Sequence, residues 1–259
     1  MSRIAVCIGA FVVLLVASAL AGPVTLNGAK ISATFNPTGG SVKIWETGTN
    51  RIFTHSFTKI QEVAADGGVV NAVNSFADLT FNDPTTPQQE TFQGVNSTVV
   101  SLSGNVNVAV AGSNATTTAN VNVRFYVFND EGKITYGTKT YPVAPGSIEI
   151  IYTISGWPVE DTGNKLNFFV RIGTPGKTAS WNSPELRFFD GASLIFAPDS
   201  ANSNGQAAVK VTPTMGSGAV NIQMQFQAAN SIEYDPLWSV EGESSSAATL
   251  SPFITSVLF

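Results

Sequence analysis

Apolar and polar residues alternate with a period of two over most of the chain beyond its first twenty or so residues. In the clearest stripe, Val220–Gln227, every even position is apolar and every odd position is Asn or Gln. Similar stripes occupy Val121–Val127, Ile148–Ile154 and Leu166–Ile172. One face of such a strand enters a core and the other meets water. The pattern predicts an all-β, antiparallel β-sandwich of jelly-roll-like type.

Turn residues separate these stripes. The stretch Asn129–Gly132 predicts a hairpin joining Val121–Phe128 to the strand that follows it, with Gly132 in a left-handed conformation. Asp190 and Gly191 predict a tight hairpin between the apolar stretches on either side of them.

A third hairpin is predicted about the polar loop that holds Asn114. If the valine-rich stretches flanking this loop pair antiparallel, Asn107 lies near Asn122 and Asn105 lies near Arg124. The polar side chains then share one face of the hairpin, and the valines share the other.

The chain is long enough to bury a sizeable core. Residues 22–243 are predicted to form one large domain. The alternative is two smaller sandwiches divided near residues 174–184, a stretch rich in Gly, Pro, Ser and Thr.

The N-terminus has the pattern of a secretory signal peptide. Arg3 precedes an apolar run over Ile4–Leu20, and small residues at Ala19 and Ala21 fit a cleavage site, so residues 1–21 are predicted to be removed. Cys7 lies inside this leader, and a mature chain without it has neither disulfides nor a thiol nucleophile. The predicted location is secreted or extracellular.

Charge is low and slightly acidic. Charged residues make up 12% of the chain and the net charge is −5, against a usual charged share of about 25%. No run of Lys or Arg occurs in the sequence. Nucleic-acid binding and a polybasic membrane patch are therefore not expected.

Two sequons and the C-terminal end add modification sites. Asn96 and Asn114 are predicted N-glycosylation sites. Residues 244–259 form a polar stretch and an apolar tail, which fits either a last strand or a lipid-anchor signal attached at Ser244. Membrane contact is expected only through such an anchor.

Catalytic and cofactor chemistry has little support in the residue inventory. His55 is the one histidine and no Gly-x-Ser-x-Gly elbow accompanies it, so a structural or solvent-facing role is the simpler interpretation. No catalytic residue, metal site or cofactor is predicted. A glycosidase or lyase that uses two carboxylates stays open as the alternative. Its candidate acids are Glu149, Glu160, Asp161, Glu185 and Asp190.

Two features are candidates for ligand contact. Trp181 sits in a polar loop without large apolar neighbours, so it is a candidate for an exposed ring that stacks on a sugar, and burial under the loop is the alternative. Trp45 is predicted to be in the core. Asn221, Gln223 and Gln225 form a row of amides that can bind glycans or another sheet, and an ordinary solvent-facing surface is the simpler alternative.

Together these features favour a non-catalytic, cell-surface or matrix protein that acts in adhesion, scaffolding or glycan and protein binding. Self-association through sheet edges is a further expectation, because a long uncharged strand such as Val220–Gln227 is poorly protected against pairing.

Overall fold

The computed structural model describes nineteen β-strands and, within the described residues, no helix. The described residues are 22–28, 30–49, 51–77, 81–82, 84–110, 112, 115–136, 139–174, 179–188, 192–196 and 210–239. The strands are β1 (Val24–Asn27), β2 (Ile31–Asn36), β3 (Ser41–Glu46), β4 (Ile52–Val63), β5 (Val69–Val73), β6 (Gln88–Phe92), β7 (Val95–Val110), β8 (Thr116–Phe128), β9 (Gly132–Tyr136), β10 (Lys139–Val143), β11 (Ile148–Ser155), β12 (Lys165–Gly173), β13 (Ala179–Asn182), β14 (Glu185–Phe188), β15 (Ser193–Ile195), β16 (Lys210–Gly216), β17 (Ala219–Gln227), β18 (Ser231–Tyr234) and β19 (Leu237–Ser239).

The strands form two layers, and all strand pairings within the described residues are antiparallel. The first layer runs in the order β16, β17, β12, β4, β3, β2, β1. The second runs β7, β8, β11, then β18 and β19 end to end, then β15, β14 and β13. Strand β5 pairs with both β4 and β7 and so links the layers, while β6 pairs with β7 and β9 pairs with β10.

Aromatic rings from the two layers meet in the core. Phe35 of β2 packs edge-on against Phe125 of β8, with ring centroids 5.2 Å apart. Phe53 of β4 lies 4.8 Å from the Trp238 ring of β19. Because these contacts join opposite layers, the prediction of an all-β antiparallel fold of sandwich type is confirmed. The jelly-roll connectivity stays a prediction.

The four apolar stripes form the inner faces of β17, β8, β11 and β12. In β17 the even residues are buried and the odd ones from Asn221 onward are exposed or half-buried. One cluster of buried residues extends along the chain from Leu26 to Trp238. The number of domains nevertheless stays a prediction, and so does cleavage after residue 21.

The register of the β7–β8 hairpin differs from the prediction. Asn105 lies opposite Asn120, and Asn107 lies opposite Thr118, so each partner is four residues nearer the turn than expected. The hairpin is centred near residue 112 rather than at Asn114. An even shift keeps every side chain on its predicted face, which is why the separation of valines from polar residues still holds.

The hairpin predicted at Asn129–Gly132 is wrong. Strand β8 pairs with β7 and β11, whereas β9 pairs only with β10 among the described strands. Gly132 is also not among the residues with positive φ. Its place depends instead on close packing, because a Cβ there would lie 2.5 Å from Cγ2 of Val95.

The predicted pairing about Asp190 and Gly191 is confirmed, whereas the predicted free edge of the strand Val220–Gln227 is wrong. Strands β14 and β15 pair antiparallel on either side of Asp190 and Gly191, as the turn signal predicted, although the turn residues themselves lie outside the described residues. Strand β17 lies between β12 and β16 and therefore offers no free edge, contrary to the expectation of an unprotected strand.

Candidate binding surface

The outer face of the first layer carries five cations, and we call this surface the basic face. Residues directly opposite each other in an antiparallel ladder project to the same side of the sheet. Register therefore places the cations together although they come from four strands: Lys43 on β3, Lys59 on β4, Lys165 and Arg171 on β12, and Lys210 on β16.

Within the described strands, no carboxylate balances these cations on the same face. Among the described strand residues that project outward from this layer, none is Asp or Glu. None of the five cations forms an ion pair with an acid in the described part of the chain. Four are exposed and Lys59 is half-buried, so their charges face solvent.

The predicted amide row lies in the middle of the basic face. Asn221, Gln223 and Gln225 alternate along the outer side of β17, between the cations of β12 and Lys210 of β16. The Gln225 side-chain amide donates to Oδ1 of Asn167 at 3.0 Å. Neither Asn221 nor Gln223 forms a side-chain hydrogen bond within the described residues, so their donors and acceptors are available to a ligand.

Two half-buried aromatic rings also belong to the basic face. Phe169 of β12 lies beneath Nζ of Lys59, which is 4.3 Å from the ring centroid. Trp45 of β3 lies 5.8 Å from Nζ of Lys43. Trp45 was predicted to be in the core, and this is wrong because Ile44, its neighbour on β3, takes the inner position.

The outer face of the second layer has the opposite charge, and we call it the acidic face. Among the described residues, its acids are Glu90, Glu149, Glu185, Glu233 and Asp235. Its two cations are each bound to one of these acids: Arg124 lies 2.9 Å from Glu90, and Arg187 lies 2.9 Å from Glu185. The two layers thus separate positive from negative charge.

Glu149 is the one candidate acid of the glycosidase alternative that lies close to another carboxyl group in a dry site. It is 1% exposed, and Oε2 has no hydrogen-bond partner in the described part of the protein. Burial, and then the charge of Asp235, raise the pKa of Glu149 well above its usual value. A carboxyl group this enclosed has no route to a polysaccharide substrate in this structure.

The other candidate acids have structural partners or lie at the surface. The backbone N–H groups of Glu160 and Asp161 donate to Oε1 of Glu62 at 3.0 and 3.4 Å, while their own side chains are exposed. Glu185 is paired with Arg187, and Asp190 lies outside the described residues. Glu160 and Asp161 precede β12 of the first layer, whereas Glu185 lies on β14 of the second layer.

Glu62 is a buried carboxylate that sequence reasoning missed. Besides the two backbone donors, it accepts hydrogen bonds from Asn71 Nδ2 at 2.8 Å, Trp157 Nε1 at 3.1 Å and Asn164 Nδ2 at 2.8 Å. Burial opposes ionisation, but these hydrogen bonds outweigh it and lower the pKa of Glu62. The alternation in β4 contained the signal, since Glu62 occupies an inner position after Ile60.

His55 lies in the core, consistent with the structural interpretation of a lone histidine. Its Nε2 is 2.7 Å from the hydroxyl of Tyr152, and Nδ1 has no partner within the described chain. Burial lowers the pKa of His55 to about 3 and raises that of Tyr152.

Trp181 lies on β13, half-buried, rather than in an isolated loop. Its ring packs edge-on against Phe196, with centroids 6.0 Å apart, and contacts the main core. The expectation of a ring without large apolar neighbours is therefore wrong, because β13 pairs with β14 and brings Trp181 onto the sandwich. Ligand contact by Trp181 stays a prediction.

The modification sites are only partly described. Asn96 is exposed on β7, and its Nδ2 donates to Oδ2 of Asp130 at 2.7 Å. Asn114, Ser244 and the leader over residues 1–21 lie outside the described residues. Glycosylation, lipid attachment and cleavage stay predictions. In the described part of the chain no helix is long and apolar enough to cross a membrane.

Fold and surface together define an all-β sandwich with polar outer faces of opposite charge. Residues 45–165 of the chain match the family of acidic skeletal organic matrix proteins. This segment includes all of β4 to β11, and with them His55, Glu62 and every side chain that hydrogen-bonds to Glu62. Of the five cations on the basic face, only Lys59 and Lys165 fall inside it.

Other comparisons add a weak structural likeness. No curated protein matches the chain. Among solved structures, the chain is similar to the α-N-acetylgalactosaminidase NagBb from Bifidobacterium bifidum in complex with GalNAc, at 10% identity and a TM-score of 0.39. The match covers 85% of this chain but 36% of that one, so this chain spans about a third of that enzyme's length.

Proposed function

We propose that this chain is a secreted structural protein of an extracellular, skeletal-type organic matrix. It acts by contact through its outer faces and not by catalysis. The observation that carries the proposal is the match of residues 45–165 to the acidic skeletal organic matrix proteins. The predicted leader over residues 1–21 supports export, because a signal peptide directs the chain into the secretory route.

The surface chemistry supports a role in contact. The five cations of the basic face have no acidic partner among the described residues, although Lys165 donates a hydrogen bond to Gln227. The side chains of Asn221 and Gln223 form no hydrogen bond within the described residues. In contrast, the buried side chains of Glu62 and His55 hydrogen-bond to other parts of the same chain. The cations and amides of the basic face thus lie where a matrix component can reach them.

The test is the location of the full chain after synthesis in cultured animal cells. We expect the tagged protein in the medium and in the detergent-insoluble matrix of the cell layer. A variant without residues 2–21 is the control and should stay in the cytosol. Recovery of the intact, uncleaved chain from the cytosol would contradict the proposal.

The same cells test the predicted anchor and glycans. Release of cell-bound protein by a phosphatidylinositol-specific phospholipase would support lipid attachment at Ser244. A mobility shift on glycosidase treatment that is lost in Asn96→Gln would support a glycan at Asn96.

A further inference from the structure

We propose that the basic face binds an anionic polysaccharide, a linear chain that carries sulfate or carboxylate groups. This inference rests on the proposed role in surface contact and names the ligand class of one of the two faces. Lys43, Lys59, Lys165, Arg171 and Lys210 supply the positive charge, and the amides of β17 lie among them.

The first argument is charge. The whole chain has a net charge of −5, yet this face holds five cations and no opposing acid within the described strands. A surface of one sign attracts a ligand of the other sign and raises its local concentration. The basic face therefore suits a polyanion, although the molecule as a whole is acidic.

The second argument is the size of the face. Four interstrand steps separate β16 from β3, which at roughly 4.8 Å each gives a width of about 19 Å. Lys165 and Arg171 stand six residues apart on β12, or about 20 Å at 3.3 Å per residue. Of the five strands from β16 to β3, all except β17 carry a cation, so an extended polyanion meets several cations at once.

The third argument is the chemistry between the cations. Asn221 and Gln223 have no side-chain hydrogen bonds within the described residues, and the hydroxyls of Thr212 and Thr214 lie opposite them on β16. Amides and hydroxyls both donate and accept, as sugar hydroxyl groups require. Phe169 and Trp45 are half-buried rings beneath the ammonium groups of Lys59 and Lys43, and cation–π contact favours keeping these two charges at the surface of the sheet.

These features favour a polysaccharide over an acidic polypeptide. A polypeptide rich in Asp and Glu would pair with the cations, but it offers few hydroxyl groups to the amide row. A second copy of this chain presents an acidic face, but there the two cations are already in ion pairs with acids and Glu149 is buried. The experiment below compares the polysaccharide directly with an acidic polypeptide.

The experiment measures binding of the purified, secreted full chain to three probes. Heparin is the sulfated chain, hyaluronan the carboxylated one and dextran the neutral control, with poly-aspartate as the polypeptide competitor. The test variant is Lys59→Gln/Arg171→Gln/Lys210→Gln. The matched pair of single changes is Lys210→Gln on the basic face and Lys133→Gln, an exposed lysine on β9.

We expect heparin and hyaluronan to bind, dextran not to bind, and added salt to weaken binding by screening. The triple variant should bind at least about tenfold more weakly, since three surface ionic contacts are worth about 1.4 kcal/mol or more together. Lys210→Gln should weaken binding measurably, whereas Lys133→Gln should leave it within about twofold of the wild type. Urea midpoints of all variants check that the fold is intact.

Equal binding by the triple variant and the wild type would overturn the proposal, as would binding to dextran that matches heparin. Tighter binding of poly-aspartate than of either anionic polysaccharide would also overturn it. Deposition in the matrix without polysaccharide binding would remove this inference alone. Polysaccharide binding by a chain that stays in the cytosol would instead remove the proposed function.

Discussion

At the scale of single residues, burial determines how His55 behaves. The imidazole ring lies in the core, stacked at 5.7 Å on Tyr152, and its Nδ1 has no partner in the described chain. Protonation would place an uncompensated charge in an apolar site, which is why its pKa falls to about 3. The sequence showed a lone histidine but not its burial, because that depended on whether Thr54 or His55 took the inner position of β4.

The first prediction concerns stability against pH. The pKa of His55 is about 3 in the folded state and about 6.5 in the unfolded state, so the unfolded chain binds more protons between these values. Its contribution to stability is complete above pH 6.5 and falls as the pH drops, by up to about 1.4 kcal/mol per pH unit. Urea unfolding of wild type and His55→Leu between pH 7 and 5 measures this as a slope that the variant lacks.

The NMR signal of the one histidine gives a direct check. In the folded protein the ring resonances of His55 should not titrate near pH 6.5. The same chain unfolded in urea is the control and should titrate there. A folded-state midpoint near 6.5 would show that His55 is exposed and would contradict the packing described above.

At the scale of elements, Glu62 holds the ends of several strands together. Its carboxylate on β4 binds Asn71 of β5 and four residues of the segment 157–164 that leads into β12. Five donors converge on two oxygens, so the site is satisfied without a counter-ion. This arrangement fixes the connection between β11 of one layer and β12 of the other.

We therefore expect Glu62→Gln to destabilise the protein by about 2 kcal/mol, because an amide group would face donors where a carboxylate accepted. The matched control is Glu160→Gln, whose side chain is exposed and whose backbone N–H still binds Glu62. Urea unfolding at neutral pH compares the two. Equal midpoints for both variants would show that the carboxylate of Glu62 does not support the fold.

The contribution of Glu62 to stability also depends on pH. The pKa of Glu62 is lowered in the folded state, so its contribution is present above its ordinary pKa and is lost as the pH falls through the folded value. The pH dependence expected from Glu149 is the opposite one. Its pKa is raised in the folded state, so its burial costs more stability as the pH rises above its ordinary pKa.

Strand identity was predictable at this scale, but strand pairing was only partly so. Period-two alternation found β8, β11, β12 and β17, because burial of one face imposes it directly. The β7–β8 register was four residues off, since the sequence does not specify where a polar loop turns. The role of Gly132 was missed because its neighbour Val95 is distant in the sequence.

At the scale of the whole molecule, the two layers carry charges of opposite sign. The basic face could not be predicted from the sequence, because its cations lie at positions 43, 59, 165, 171 and 210 and form no run. Only the pairing of β3, β4, β12, β17 and β16 brings them together. The amide row of β17 was predicted correctly as an outer face, but its position among cations was not.

Ion-exchange behaviour of the full chain at pH 7 and low ionic strength tests this separation of charge most directly. A protein of net charge −5 with mixed surface charge should pass through a sulfonated cation exchanger, whereas the basic face should retain this one until salt screens it. We predict retention of the wild type and of Lys133→Gln, and loss of retention in Lys59→Gln/Arg171→Gln/Lys210→Gln, while all three bind an anion exchanger. Flow-through of the wild type, or equal retention of the triple variant, would contradict the account.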